Sequence, residues 1–82
     1  MILKPETIFY INENAERIGA NAPNNEDDLF NLGIIDSFTL VDFVTLLEDQ
    51  YGISIPDSDV NPDNFRTIRL IEQYIQHRTE QK

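Results

Sequence analysis

The segment Leu32-Gly33-Ile34-Ile35-Asp36-Ser37-Phe38 is predicted to be the point at which a loop passes into the central helix. Gly33 permits a turn, because glycine tolerates backbone conformations closed to other residues. Asp36 is suited to cap the helix, since its carboxylate can accept hydrogen bonds from the first free N–H groups. Ser37 then lies in the first turn, where unpaired donors and the positive end of the helix dipole favour a phosphate-bearing group. Ser37 is therefore the candidate functional residue.

The helix that begins at Ser37 is predicted to span about residues 37–51, capped by Asp36 and stopped by Gly52. Helical spacing assigns its core stripe to Leu40, Phe43, Val44, Leu47 and Tyr51. A second set on another face comprises Phe38, Val41 and Thr45, interleaved with Asp42, Glu48 and Asp49. Apolar residues outside the core stripe favour a binding face. The alternative is that Phe38 and Val41 pack under the preceding loop.

A first helix is predicted over about residues 5–18, with Pro5 in its first turn and Gly19 as its stop. Its apolar stripe is Ile8, Ile11, Ala15 and Ile18. Residues 21–28 are rich in turn formers and acids and show no period, so they are predicted to form a long loop. The apolar residues that follow should fold back over the helices and fix the approach to Ser37: Leu29, Phe30, Leu32, Ile34 and Ile35.

Beyond Gly52, Ile53-Ser54-Ile55 is predicted to be an extended connection, because Pro56 ends it and no second strand is available for pairing. Asn61-Pro62 is typical of a capped helix start, which predicts a short helix over residues 61–65. A last helix, about residues 67–78, is predicted to be capped by Thr67 and to fray near Arg78. Its core face comprises Ile68, Ile71, Tyr74 and Ile75. The predicted fold is all-α: a single domain over residues 1–82, with three main helices, one short helix and a long loop between the first and second.

The composition fits a small soluble domain, with 82 residues, 40% hydrophobic and 26% charged. No apolar run approaches the roughly 20 residues that span a bilayer, so no membrane insertion is expected. The N-terminus lacks a basic segment followed by an apolar one, so a cytoplasmic location is expected. The chain is also expected to be a monomer. The absence of cysteine excludes a disulfide framework and thiolate metal sites, and any thiol chemistry must be imported.

The formal net charge of −9 is unevenly distributed. No Lys or Arg occurs between Arg17 and Arg66, whereas that interval holds the acids Glu26, Asp27, Asp28, Asp36, Asp42, Glu48, Asp49, Asp57, Asp59 and Asp63. The negative electrostatic potential of these acids repels nucleic acid and anionic membranes and steers the protein towards basic protein surfaces. The alternative is a solvated acidic surface that only aids solubility.

Three kinds of site chemistry are disfavoured. Asp57-Ser58-Asp59-Val60-Asn61 matches the opening of a calcium loop, but Pro62 and Ile68 stand where a glycine and a bidentate glutamate are needed. Serine hydrolysis needs a base near Ser37, and the single histidine, His77, is near the C-terminus. One histidine and no cysteine also leave no metal-ligand pair containing histidine. We therefore expect no catalytic residue and no metal site.

The motif with its downstream segments resembles the acyl carrier protein family, whose attachment motif is usually written Asp-Ser-Leu preceded by a glycine. Besides residues 32–38, two segments carry the resemblance: Leu46-Leu47-Glu48-Asp49-Gln50-Tyr51-Gly52-Ile53-Ser54-Ile55 and Asn64-Phe65-Arg66-Thr67-Ile68. Two residues, Ile34 and Ile35, separate the glycine from Asp-Ser, where fatty-acid-synthesis carriers commonly have one. Thr39 is also uncharged. The Gly-Ile-Ile-Asp-Ser-Phe form is more similar to stand-alone carriers of amino acids or specialised acyl groups, such as the D-alanyl carriers.

The resemblance implies that Ser37 receives 4′-phosphopantetheine from coenzyme A through a phosphopantetheinyl transferase. The thiol of that arm would hold an acyl or aminoacyl group as a thioester. It also implies that Phe38, Val41, Asp42, Thr45 and Glu48 form the face that meets partner enzymes. Those partners would be an adenylating or acyl-loading enzyme and downstream acyl-transfer or synthase enzymes with basic patches. The alternative is a binding or regulatory protein that keeps the fold but is never modified.

Overall fold

The computed structural model describes residues 3–80, and within them the regular elements are four α-helices. Their bounds are α1 (Pro5–Arg17), α2 (Ser37–Tyr51), α3 (Pro62–Phe65) and α4 (Ile68–Glu80). A single 3-10 turn, Asp57–Asp59, lies between α2 and α3, and no strand occurs in this part of the chain. The predicted all-α fold with three main helices and one short one is confirmed. The 3-10 turn was not predicted.

Helix α2 has the bounds that the sequence predicted, because a capping residue lies at each of its ends. Asp36 caps the start with its side chain. At the other end, Gly52 adopts the left-handed conformation (φ 63°), and its N–H donates to the carbonyl of Glu48. A side chain at that position would be strained, so glycine ends the helix at little cost.

One aliphatic core joins α1, α2, α4 and the loops. Each of the following residues is buried: Ile11, Ala15, Leu29, Ile34, Ile35, Leu40, Phe43, Val44, Leu47, Ile53, Ile55, Phe65, Ile68, Ile71 and Ile75. The predicted core stripes of α2 and α4 are confirmed, with Tyr51 and Tyr74 at their half-buried edges. Ile53 and Ile55 are buried while Ser54 is exposed, as expected for an extended connection against the core.

The buried face of α1 differs from the predicted one. Ile18 is 50% exposed, whereas the polar residues Thr7 and Asn14 are buried. Thr7 tolerates burial because its hydroxyl bonds to the side chains of Gln50 and Tyr51 on α2. The helix ends at Arg17, one residue earlier than predicted, and the N–H of Gly19 donates to the carbonyl of Glu16 just beyond it. Ile18 therefore lies outside the helix, past the buried face.

The start of α3 was predicted correctly: the Asn61 side chain accepts from the N–H of Asn64, and Pro62 is the first helical residue. The Thr67 hydroxyl accepts from the N–H of Leu70, so Thr67 caps α4 as predicted. The predicted fraying near Arg78 was wrong, since α4 continues to Glu80. The guanidinium of Arg78 donates to the carbonyl of Ser54 at 2.7 Å, which ties this last turn to the connection after α2.

Candidate functional site at the start of helix α2

The start of α2 is closed by a reciprocal cap. Asp36 Oδ1 accepts from the N–H groups of Phe38 and Thr39, both at 2.9 Å, and the Thr39 hydroxyl accepts from the Asp36 N–H at 2.8 Å. The hydrogen bond from Thr39 N–H, helped by the one from Phe38, holds the pKa of the Asp36 carboxyl below its usual value. The carboxylate is therefore ionised and fixed at neutral pH, directly before Ser37.

Ser37 is the first residue of α2 and its side chain is exposed. Within residues 3–80 its hydroxyl forms no hydrogen bond, so the oxygen is accessible to a reagent from solvent. The expectation of several unpaired donors beside it was only partly right, because Asp36 already occupies those of Phe38 and Thr39. What remains for a phosphate is the N–H of Ser37 and the helix dipole, which favours negative charge in this turn.

The loop before Ser37 is anchored from inside. The N–H groups of Ile34 and Ile35 both donate to the carbonyl of Leu29, at 2.9 and 3.2 Å, and these three side chains are at most 2% exposed. Leu29 N–H in turn donates to the carbonyl of Arg66 at 2.8 Å. The predicted folding back of the loop is confirmed for these residues, whereas Leu32 is 45% exposed, contrary to prediction. The approach to Ser37 is therefore fixed by burial of Leu29, Ile34 and Ile35.

A side chain in the same loop links it to the segment between α3 and α4. Asp28 accepts from the N–H groups of Phe30 and Asn31 and from the Arg66 guanidinium at 3.1 Å. These bonds, first that from Asn31, hold the pKa of Asp28 below its usual value. At least one acid of this loop, Asp28, therefore stabilises the loop itself.

Beside Ser37, α2 presents an apolar and acidic surface. Phe38 is 85% exposed and Val41 is 59% exposed, and Asp42 and Thr45 are exposed beside them. The alternative in which Phe38 and Val41 pack under the loop is therefore wrong. An exposed phenylalanine next to an exposed serine costs solubility without helping the fold, which favours a binding role for this surface.

Glu48 differs from the other four residues predicted for that face. It is half-buried, and its Oε2 accepts from the N–H of Ile55 at 2.8 Å, so it holds the connection after α2. Together with Val41, Val44 and Val60 it lines a shallow groove of about 430 Å³. One signal for this role is present in the sequence, because the buried backbone N–H groups of an extended connection need acceptors from outside that connection.

A small helical bundle that presents an exposed serine at the capped start of its second long helix, beside an exposed apolar and acidic surface, has the features of a carrier domain. Residues 12–75 match the family described as "Phosphopantetheine attachment site", and the chain belongs to this family.

Two relatives agree with this assignment, and one solved structure shares the fold. The chain is 36% identical over 61 residues to the D-alanyl carrier protein of Lactobacillus delbrueckii subsp. bulgaricus, covering 72% of this chain and 76% of that protein. It is 31% identical over 51 residues to the D-alanyl carrier protein of Streptococcus pyogenes serotype M5, covering 62% of this chain and 65% of that protein. A chain from the "Crystal structure of FAD-dependent dehydrogenase" is also similar, with 28% identity and a TM-score of 0.71. That match covers 85% of this chain and 99% of the other, so the similar chain is also small.

Family membership makes the protein a carrier and not an enzyme, and implies a covalently attached 4′-phosphopantetheine group. The site fits such a group, because attachment requires an exposed hydroxyl, and the Asp36 carboxylate is held by backbone N–H groups away from a bond to Ser37. Two side chains of the calcium-like segment have structural roles: Asp59 accepts from the Tyr74 hydroxyl at 2.7 Å, and Asn61 caps α3. Between residues 3 and 80, no helix is both long and apolar enough to cross a membrane.

Proposed function

We propose that Ser37 bears the 4′-phosphopantetheine arm and that the chain, acting as one carrier domain, shuttles an acyl or aminoacyl group between enzymes. The thiol of the attached arm would hold that group as a thioester. The observation that carries the proposal is the exposed, unbonded hydroxyl of Ser37 at the capped start of α2, within a segment that matches the attachment family.

The modification is a simple exchange at phosphorus. The Ser37 hydroxyl oxygen would attack the β-phosphorus of coenzyme A and form a phosphodiester, while the pyrophosphate P–O bond breaks and adenosine 3′,5′-bisphosphate leaves. The serine proton would pass to a base of the phosphopantetheinyl transferase. The carrier needs to supply only a correctly placed hydroxyl, which the buried loop and the Asp36 cap provide.

Intact-mass measurement after incubation with coenzyme A and a broad-specificity phosphopantetheinyl transferase tests this proposal. We expect the wild-type chain to gain one phosphopantetheinyl group and Ser37→Ala to gain none. Ser58→Ala is the matched control, because Ser58 is also exposed but lies in the 3-10 turn; it should be modified like wild type. An unmodified wild-type chain would instead support the alternative, a binding or regulatory protein of the same fold that acts through α2.

For the cargo, D-alanine is the first candidate, because the relatives at 31–36% identity are D-alanyl carrier proteins. The modified chain should be incubated with ATP and a D-alanine-activating enzyme, and the thioester detected by mass before and after hydroxylamine cleavage. L-alanine and a medium-chain fatty acid, each with a matching activating enzyme, serve as comparisons. Loading by the fatty acid alone would reject the aminoacyl assignment while leaving the carrier function intact.

We further propose that Phe38, Val41, Asp42 and Thr45 form the face that meets the transferase, the loading enzyme and downstream enzymes with basic patches. Their exposure and charge support this proposal. Asp42→Lys should slow transfer at low salt, because it reverses charge complementarity with such patches. Glu48 would act on this face indirectly, through its bond to Ile55, so charge reversal there also perturbs the fold.

A further inference from the structure

A second apolar surface lies between α1 and α2. It is a groove of about 490 Å³ whose apolar lining is Pro5, Phe9, Tyr10 and Leu46. Phe9 is 66% exposed, which makes it the second most exposed large apolar side chain of the described residues, after Phe38. Single exposed apolar residues are common on soluble proteins, but here several share one concave surface.

The packing of α1 on α2 makes this groove a fixed feature. The Tyr10 ring stacks on Phe43, with ring centroids 5.3 Å apart and planes 12° apart. At the start of α1, Lys4 N–H donates to the Tyr51 hydroxyl at 2.8 Å, and its ammonium lies 5.0 Å from the centroid of the same ring. Because these contacts fix the face of α1 that points inward, the neighbouring Phe9 is held outward.

The groove lies on the opposite side of α2 from the attachment serine. Ser37 and Leu46 are nine residues apart, and at 3.6 residues per turn this separation turns the side chains by about 180°. A partner that binds the groove would therefore leave Ser37 and its neighbour Val41 uncovered.

Charge identifies the kind of partner. Glu6 and Glu13 line the groove on α1, seven residues or about 10 Å apart along the helix axis. On α2, the exposed Asp49 follows Leu46 by three residues and adds negative charge close to the groove. No lysine or arginine is among the residues that line the groove. A second copy of this chain, with a net charge of −9, would be repelled from such a surface.

We propose that this groove binds a basic amphipathic helix of a partner protein. An apolar side chain of that helix would insert between Phe9 and Leu46, and lysines or arginines one turn to either side would meet Glu6 and Glu13. The groove would thus hold the carrier on one partner while the arm on Ser37 serves another enzyme. The proposal goes beyond the carrier function and does not require Ser37 to be modified.

The probe is an amidated alanine-based helical peptide with lysines seven residues apart and two leucines between them, titrated into the full-length ¹⁵N-labelled chain at low salt. Backbone amide shifts should change around Phe9, Glu13 and Leu46 and stay small around Val41. Phe9→Ala should weaken binding on the order of tenfold, as expected for a central anchor. Phe38→Ala, which truncates the same kind of side chain in the first turn of α2, outside the groove lining, should leave the Kd within about twofold, as for residues outside an interface.

Charge is tested separately from shape. Glu13→Gln preserves the side-chain size, so it should weaken binding and reduce its dependence on salt. A peptide with glutamates in place of the lysines should not bind. Circular dichroism of each variant must match wild type, and Phe9→Leu, which keeps an apolar side chain, should retain most of the affinity.

Several results would overturn the proposal: shift changes centred on Phe38 and Val41, equal affinity of Phe9→Ala, or a concentration-dependent dimer that Phe9→Ala abolishes. The test is independent of the attachment proposal, because Ser37→Ala should bind the peptide like wild type. Failure of modification at Ser37 would therefore leave the groove result intact, and absence of peptide binding would leave the carrier function intact.

Discussion

The two connections that flank α2 are both acidic and irregular, but they are held in different ways. The one before α2, residues 18–36, is held mainly by three buried side chains, Leu29, Ile34 and Ile35. Its ion pairs, such as Arg69 with Glu26, lie at the surface. Burial of apolar groups does not depend on salt or on the protonation of a partner, so this connection should keep its shape under varied conditions.

The connection after α2, residues 52–61, also buries Ile53 and Ile55 but depends on polar bonds from other elements. Glu48 accepts from Ile55 N–H, and Tyr74 donates to Asp59. These hydrogen bonds are partly accessible to water, so each contributes modestly to the free energy of unfolding. Either bond can break while the other remains. The difference suggests that the loop leading to Ser37 is the more rigid one and that the opposite connection is the more adjustable one.

The largest effect is expected from Ile35→Ala. Ile35 is fully buried, so its truncation should lower the free energy of unfolding by about 2–5 kcal/mol. Leu32→Ala, in the same loop but 45% exposed, should change it by less than about 0.5 kcal/mol. Urea unfolding followed by circular dichroism measures both. Equal losses for the two variants would contradict the view that this loop is held by burial.

Glu48→Ala should lower the free energy of unfolding by about 1–3 kcal/mol, because it leaves the N–H of Ile55 without its acceptor. Glu48→Gln keeps an acceptor oxygen and should lose less. Hydrogen exchange at Ile55 gives the local measurement: it should become faster in Glu48→Ala while exchange at Ile35 stays close to wild type. Asp49→Ala is the control for loss of an exposed acid on the same helix.

Tyr74→Phe should cost about 1 kcal/mol at neutral pH, because it removes the hydroxyl that donates to Asp59 but keeps the ring that packs on Phe65. Burial, followed by the bond to Asp59, raises the pKa of Tyr74 from 10.0 to about 12. The native state therefore holds this proton longer than the unfolded state does, so the contribution is present below pH 10 and lost towards pH 12. Ultraviolet titration should show a tyrosinate step near pH 12 that Tyr74→Phe lacks.

The smallest effect is expected from the Arg69–Glu26 ion pair, whose side chains are 58% and 65% exposed. A double-mutant cycle with Glu26→Gln and Arg69→Gln should give a coupling of about 0.2–1 kcal/mol that falls with added salt. A coupling that stays large in high salt would mean that ion pairs, as well as burial, hold the first connection.

The sequence predicted the elements whose ends carry local chemical signals. Asp36 and Gly52 marked both ends of α2, and Asn61 with Pro62 marked the start of α3. It also predicted the class of protein, because the serine motif and its downstream segments are local in the chain.

The contacts between distant segments could not be predicted in the same way. The burial of Thr7 depends on hydrogen bonds from its hydroxyl to side chains 43 and 44 residues away. The last turn of α4 likewise contains Arg78, which donates to the carbonyl of the distant Ser54. Thr7 did offer a signal, since it lies one turn before Ile11 on the buried stripe. A polar residue in register with a core stripe is a candidate for burial with a partner.

The cap formed by Asp36 has a consequence for how the carrier is recognised by its enzymes. Because Asp36 and Thr39 complete the start of α2 without help from any attached group, we expect the helix to be fully formed before modification and unchanged after it. The conformation of the domain would then be the same whether the arm is absent, unloaded or carrying an acyl group. Partner enzymes would therefore have to distinguish these forms through contacts with the arm itself. The protein surface that they bind would be the same at every stage of the cycle.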